Sequence, residues 1–179
     1  MSKTRPTFYL NNDKTKPVRA GGVIIYKFTR KGMELLLIEN RGQYEDIGGC
    51  TDISDKTYID TIVREVYEET NKLIKRKNTR QKLVSSSNVY ISISKYVIHF
   101  IEATERQKKL TLKDFGPKEI HDDIERTIQW IPLSHFLDSN IIAYKLNFRL
   151  KNKVVFDKLK QLDNMHKIRE KILSETSDE

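Results

Sequence analysis

The segment from Gly48 to Asn71 constrains the fold of this chain more than any other, because it combines an apolar stripe with carboxylates at helical spacing. Apolar positions that recur every three or four residues are typical of a helix packed on one side against a core. These positions are Ile59, Ile62, Val63, Val66, Thr70 and Leu73. Asp55, followed by Lys56 and Thr57, indicates where the helix begins. We therefore predict an amphipathic helix that is held in place by a protein core.

The opposite side of this predicted helix carries three carboxylates. Glu65, Glu68 and Glu69 stand at i, i+3 and i+4, a spacing that places them on one face. Like charges at this spacing repel one another, so either a cation lies among them or they are spread over a solvated face. Carboxylate oxygens are hard ligands that suit Mg²⁺ or Mn²⁺. The spacing alone leaves a metal site and a solvated acidic face as the two interpretations.

Two glycines, Gly48 and Gly49, precede the helix, and we expect them to form an unusual backbone turn that exposes a carbonyl to a ligand or metal. The glycine turn, the short acidic loop and the acidic helix together resemble the Nudix box, the signature of the Nudix hydrolase superfamily. The core from Arg64 to Glu69, which reads REVYEE, matches this signature in full. The match covers about two dozen residues and is specific, since several fixed positions agree at once.

Three features depart from the signature. Asp55 stands where the family has a Glu, eight residues instead of seven separate it from Arg64, and Asn71 replaces the closing Gly. Asn tolerates the left-handed conformation that ends many helices, and Asp can still accept hydrogen bonds. We expect the extra residue to reshape the loop that precedes the helix.

The resemblance implies an α+β protein with the Nudix fold, a mixed β-sheet sandwiched between α-helices. It also implies a metal site in which Glu68 and Glu69 bind Mg²⁺ or Mn²⁺ together with the backbone carbonyl of Gly48. Glu65 would complete this site or act as general base, and Arg64 would orient the glutamates. Asp55 is a further candidate acid at the site.

In the family a further acid from a later loop commonly joins the site. In the polar stretch 102–126 four acids are the candidates, namely Glu119, Asp122, Asp123 and Glu125. The sequence alone does not choose among them, and we favour Glu119 and Glu125. Long polar loops also often determine specificity.

Other apolar runs predict the remaining elements. Runs at 21–26 and 33–39 surround a turn at Lys31-Gly32 and indicate a hairpin of buried strands. Further strands are predicted at 89–93, 96–101 and 128–133. Periodicity by itself therefore supports a mixed α and β domain, in agreement with the fold that the resemblance implies.

A dense basic run starts at Lys75, Arg76 and Lys77 and continues to Arg80. It is either a solvated loop or a contact for phosphate or RNA. Basic residues also occur on the last predicted helix, at 145–173. On the other face of that helix lie Val155, Leu159, Leu162 and either Met165 or His166.

Length and composition predict one domain over 1–179, with an N-terminal extension at 1–18, the helix at 145–173 and a tail at 174–179. Cys50 is the single cysteine, which excludes an internal disulfide framework and fits a reducing compartment. The sequence has neither a signal-type apolar run nor a stretch long enough to span a bilayer. We expect a cytoplasmic protein, in the host cytoplasm if its source is a virus.

The expected activity is hydrolysis of a phosphoanhydride in a nucleoside-diphosphate-linked substrate, as in the Nudix superfamily. The formal charge of +8 favours the more anionic substrates, namely capped RNA, a dinucleoside polyphosphate or a diphosphoinositol polyphosphate. Spaced aspartates after the glycines, and many Lys, Ile and Asn residues, also resemble Nudix proteins of large DNA viruses, some of which remove mRNA caps. The alternative is a non-catalytic module of the same fold that binds nucleotide or RNA, against which the intact REVYEE core argues.

Overall fold

The computed structural model describes residues 4–119, 125–137 and 145–176. Two short strands near the N-terminus, β1 (Phe8–Tyr9) and β2 (Pro17–Val18), form an antiparallel pair of their own. Seven strands of the described residues form one larger sheet. In chain order they are β3 (Ala20–Thr29), β4 (Gly32–Asn40), β5 (Gln43–Glu45), β6 (Ile47–Cys50), β7 (Ser87–Ile91), β8 (Tyr96–Glu102) and β9 (Thr127–Pro132).

The sheet is mixed because β3 has antiparallel neighbours on one edge and a parallel neighbour on the other. Along its first half, residues 20–23 pair antiparallel with β6, and along its second half, residues 25–29 pair antiparallel with β4. On its other edge β3 pairs parallel with β8 over residues 20–26. The predicted hairpin is therefore confirmed as β3 and β4.

Helices cover both faces of the sheet. Alternate residues of each strand point to opposite sides, so one strand contributes apolar side chains to both layers. Val23 and Ile25 of β3 lie in one apolar cluster, which includes α1 (Tyr58–Glu69) and α2 (Arg76–Ser85). Ile24 lies in a second cluster with α5 (Leu133–Leu137) and α6 (Lys153–Thr176). Two short helices, α3 (Glu105–Lys108) and α4 (Leu112–Phe115), precede β9. The predicted α+β sandwich is confirmed.

Local chemistry sets both ends of α1. Thr57 is the N-cap, with its Oγ1 accepting from the amide of Asp60 at 3.2 Å, while Asp60 Oδ2 accepts from the amide of Thr57 at 2.8 Å. After Glu69 the chain leaves the helix, and Asn71 has a φ of 51°, the left-handed conformation expected for it. Ile62, Val63 and Val66 of the predicted stripe are buried. Each such side chain contributes about 2 kcal/mol through burial, which fixes the helix on the sheet.

The structure corrects the prediction for two helices. The basic run from Arg76 belongs to α2 and is not a loop, because Thr79 and Leu83, one turn apart, are buried against the core. The last helix starts at Lys153 instead of residue 145, since Asn152 Oδ1 accepts from the amide of Val154 at 3.1 Å and caps it. That helix extends to Thr176, past the predicted end at residue 173.

On α6 the side chain that turns to the body of the protein after Leu162 is His166. Its ring stacks on Phe28 at a centroid distance of 3.7 Å, whereas Met165 is 54% exposed. Within the described residues, none of the helices has the length and apolar character needed to cross a membrane.

Candidate active site

Gly48 and Gly49 lie within strand β6, so the predicted glycine turn is wrong. They pair with Gly22 and Gly21 of β3 in regular antiparallel register. A Cβ atom at Gly49 would lie 2.4 Å from the Glu65 carboxylate, and one at Gly48 would lie 2.3 Å from Cα of Gly22. Gly49 is needed because helix α1 approaches the strand closely, and Gly48 because strand β3 does, and neither is needed for an unusual backbone conformation.

Arg64 connects the acids of α1 to the loop before the helix. Its Nη1 donates to Glu65 Oε1 at 2.7 Å and to Glu68 Oε2 at 3.4 Å. Its Nη2 donates to the carbonyl of Cys50 at 2.9 Å. Burial lowers the pKa of the Arg64 guanidinium, but the hydrogen bonds and charges of Asp55 and Glu65 outweigh burial and raise it. Arg64 therefore stays charged and orients two of the glutamates.

Asp55 lies behind Arg64 and holds it. Its side chain is 3% exposed, and it accepts from Arg64 Nε at 3.2 Å and from Nη2 at 3.0 Å. The amide of Asp52 and the hydroxyl of Thr61 also donate to Asp55 Oδ2, both at 2.8 Å. Burial raises the pKa of Asp55, yet these hydrogen bonds outweigh it and keep the pKa below its usual value. Both carboxylate oxygens are thus engaged within the protein.

Glu65 and Glu69 carry negative charge that the protein compensates poorly. Burial raises the pKa of Glu65, the neighbouring Arg64 lowers it in part, and Glu68 and Glu119 raise it again. The pKa of Glu69 lies well above its usual value because of burial and then of repulsion, first from Glu65 and Glu119. Glu69 Oε2 is buried and has no hydrogen-bond partner among the described residues. A cation at this oxygen would relieve the repulsion.

A second group of charges, which sequence reasoning did not find, lies behind the glycine strand. Asp46 is buried, and its two oxygens accept from Tyr96 Oη at 2.7 Å and from Arg149 Nε at 3.1 Å. Arg149 also donates to Glu45 Oε2 at 3.3 Å, and its guanidinium lies 4.4 Å from the centroid of the Tyr96 ring. The charges of Asp46 and Glu45 contribute to the raised pKa of Glu69. This group therefore belongs to the electrostatic surroundings of the acid cluster.

The candidate loop acids differ in their relation to this cluster. Glu119 acts electrostatically on both Glu65 and Glu69. Glu125 is exposed and pairs with Lys118 in an isolated antiparallel bridge. Asp122 and Asp123 lie outside the described residues. Among the candidates that the structure describes, Glu119 is the one whose charge reaches the acids of α1.

The basic residues of α2 lie next to the acid cluster. Arg76 Nη2 is 3.9 Å from Glu68 Oε1, and its guanidinium lies 4.6 Å from the centroid of the Tyr67 ring. Lys75 and Lys77 are exposed beside it. A basic rim therefore borders the acids on the side of α2.

The donor set at this site fits a hard divalent cation, because one buried carboxylate oxygen of Glu69 lacks a partner and its neighbours repel it. In the part of the chain that the structure describes, no three His, Cys, Asp or Glu side chains yet converge on one point as a metal's ligands would. Arg64 engages one oxygen each of Glu65 and Glu68.

Comparisons with known proteins find distant similarities among solved structures and none elsewhere. No protein-family model matches the chain, and neither does any curated protein. An Ap4A hydrolase from C. elegans in a binary complex is similar in structure, with 14% identity, a TM-score of 0.48 and coverage of 80% of this chain and 97% of that chain.

Two other solved structures have lower TM-scores. A MutT/nudix family protein from Enterococcus faecalis has 15% identity and a TM-score of 0.39, over 62% of this chain and 42% of that one. NrtR from Shewanella oneidensis has 14% identity and a TM-score of 0.43, over 79% of this chain and 63% of that one. Identities this low concern the fold alone.

Proposed function

We propose that the protein is a Nudix-type pyrophosphohydrolase that requires Mg²⁺ or Mn²⁺ and cleaves a phosphoanhydride in a nucleoside-diphosphate-linked substrate. One observation carries this proposal, namely the crowding of carboxylates at the C-terminal end of α1. There Glu65 and Glu69 have raised pKa values, and a buried oxygen of Glu69 is unpaired among the described residues. A purely structural helix has no reason to keep such an arrangement, which costs stability.

A divalent ion at this site would neutralise the phosphate oxygens and lower the pKa of a bound water. The residues that would hold it are Glu65, Glu68 and Glu69, with the carbonyl of Gly48. Arg64 fixes the orientation of two of these carboxylates through hydrogen bonds from Nη1. Because it engages only Oε1 of Glu65, Oε2 is left to accept a proton from the attacking water. Glu65 would thus either complete the ligand set of the ion or act through Oε2 as general base.

We infer a highly anionic substrate, such as capped RNA, a dinucleoside polyphosphate or a diphosphoinositol polyphosphate. The net charge of +8 attracts such substrates from a distance. Arg76 stands beside Glu68, and Lys75 and Lys77 are its exposed neighbours in sequence, so phosphates outside the cleaved bond would meet positive charge on this side. Hydrolysis of capped RNA would make the protein an mRNA-decapping enzyme.

The test is product analysis on four substrates: capped RNA, diadenosine tetraphosphate, diphosphoinositol pentakisphosphate and a simple nucleoside triphosphate. Each is incubated with Mg²⁺ or Mn²⁺ and with EDTA. Glu69→Gln removes the charge but not the shape, and Glu175→Gln is the matched control, because that carboxylate lies on α6 with 64% of its side chain exposed. We expect a metal-dependent product that Glu69→Gln abolishes and Glu175→Gln leaves unchanged.

Full activity in folded Glu69→Gln would refute the assignment of the acid cluster. If none of the substrates is cleaved and the folded protein still binds nucleotide or RNA, it is a binding module instead of an enzyme. The basic rim has its own test. Lys75→Gln combined with Lys77→Gln should raise KM for the most anionic substrate and weaken its dependence on salt, while kcat stays within about twofold.

A further inference from the structure

Asn71, the residue that replaces the closing glycine of the motif, makes contacts that a glycine could not make. Its left-handed backbone ends α1, and its Nδ2 donates to the carbonyls of Phe115 and Lys118, the latter at 2.9 Å. The Cβ position of Gly116, at a φ of 70°, would lie 3.4 Å from the same Nδ2 atom. Asn71 therefore ties the segment 115–118 to the end of the helix.

Arg126 holds the same segment from another part of the chain. Its side chain is buried, and its Nη1 donates to the carbonyls of Gly116 at 2.7 Å and Phe115 at 3.3 Å. Its Nη2 donates to the carbonyl of Glu69, in the last turn of α1. A guanidinium has a rigid planar set of donors, so it fixes the relative position of the groups it binds. Helix end and loop segment are thus joined by two independent side chains.

The segment so held leads directly into Glu119. Glu119 directly follows Lys118, whose carbonyl accepts from Asn71 Nδ2 at 2.9 Å, so the clamp ends one residue before this acid. The charge of Glu119 contributes to the raised pKa of Glu65 and of Glu69. Burial lowers the pKa of Arg126, while Glu69 and Glu119 raise it in part, so Arg126 also partly compensates these two acids.

We propose that Asn71 and Arg126 are positioning residues that clamp the segment 115–118 to the C-terminal end of α1 and thereby hold Glu119 in the acid cluster. This role rests on the proposed function for its catalytic consequence, whereas the clamp itself is a property of the folded chain. A glycine at position 71 would keep the backbone conformation and lose the side-chain contacts of Asn71, so the departure from the motif supplies one of the two links between helix end and segment.

The first test measures the clamp without any activity. In Asn71→Gly the left-handed backbone is retained without strain and only the side-chain donors are lost. Lys72→Gly is the matched control, because Lys72 has a φ of 64°, is exposed and has no side-chain hydrogen bond among the described residues. Amide hydrogen exchange of peptides covering 115–119 should be faster by about tenfold or more in Asn71→Gly and unchanged in Lys72→Gly.

Unchanged exchange in Asn71→Gly, or equal acceleration in both variants, would overturn the clamp. Arg126→Lys retains the charge but not the planar set of donors, and it should accelerate exchange of the same peptides if it folds. If that variant does not fold, Asn71→Gly alone decides the question.

The second test asks whether the clamp acts through Glu119, by combining Asn71→Gly with Glu119→Gln. We expect Asn71→Gly alone to lower kcat by about tenfold with KM changed less than about twofold. In the Glu119→Gln background the same substitution should lower kcat by less than about twofold further. Fully additive losses would show that Asn71 does not act through Glu119. An inactive wild-type protein would instead refute the proposed function and leave the exchange result standing.

Discussion

Gly49→Ala tests whether the position of Glu65 is needed for activity and not merely its presence. The added Cβ would meet Cδ and Oε1 of Glu65 at 2.4 Å and Oε2 at 2.7 Å. Non-bonded contacts require about 3.5 Å, so the carboxylate must move by roughly 1 Å. The atoms in conflict are the end of a flexible side chain, which can rotate away while strand β6 stays in place.

The expected effect is large on catalysis and small on stability. A misplacement of about 1 Å in a reacting group can lower kcat by roughly 100-fold. The displacement also disturbs the 2.7 Å contact between Glu65 and Arg64. Loss of one such contact costs about 1 kcal/mol, which lowers Tm by only about 2 to 4 °C in a chain of this size.

Gly48→Ala is the contrasting variant, because its Cβ would meet Cα of Gly22 at 2.3 Å and the carbonyl oxygen of Gly21 at 2.4 Å. Backbone atoms cannot rotate away, so we expect a loss of about 3 kcal/mol or more and a Tm lower by about 6 to 12 °C. The assay is kcat with Mg²⁺ together with thermal unfolding of both variants. Wild-type kcat in Gly49→Ala, or equal destabilisation by both substitutions, would refute the reasoning.

Three further predictions concern charge. Glu69→Gln should raise the Tm of the metal-free protein at pH 7, because the raised pKa of Glu69 means that its ionisation destabilises the folded state. This gain in Tm should vanish below about pH 4, where the carboxyl is protonated in both the folded and the unfolded state. A gain that grows toward low pH would contradict it. Asp55→Asn should cost about 3 kcal/mol at pH 7, measured by urea unfolding, because it leaves Arg64 without its buried partner. Since the pKa of Asp55 is lowered in the fold, this difference should shrink as pH falls through that pKa, and a constant difference would count against it. Arg149→Gln should cost about 3 to 5 kcal/mol in the same assay, because Asp46 would remain buried without its cation; a loss below about 1 kcal/mol would show that the pair is dispensable.

The sequence predicted those features whose cause is local. The buried stripe of α1 follows from periodicity, and the left-handed Asn71 follows from the need to end a helix. α2 was missed because only Thr79 and Leu83 of its ten residues are buried, so its sequence has almost no apolar period. The role of Gly48 and Gly49 was misjudged because a glycine in a sequence does not reveal which neighbouring atoms approach it closely.

The charged partners of the site could not be predicted for a different reason. Arg126 binds a carbonyl 57 residues away, and Arg149 binds a carboxylate 103 residues away. Neither arginine stands in a local pattern that separates it from the other basic residues of the chain. Their roles depend on the strand register, which brings β6 beside β3 and β3 beside β8.

The distance of Arg149 from Asp46 along the chain also has a consequence during protein synthesis. The Nudix-like motif is synthesised before Arg149, but its 12-residue helix is marginal on its own in water, because most helical stability comes from tertiary packing. Asp46 gains its cation only after Arg149 has been synthesised, and β3 gains its parallel neighbour only after β8 has been synthesised. The group of charges behind the glycine strand therefore assembles only when these distant segments are present. Folding dominated by such non-local contacts is slow. The sequence of the acidic helix is therefore present in the nascent chain before the segments that hold the helix in working geometry.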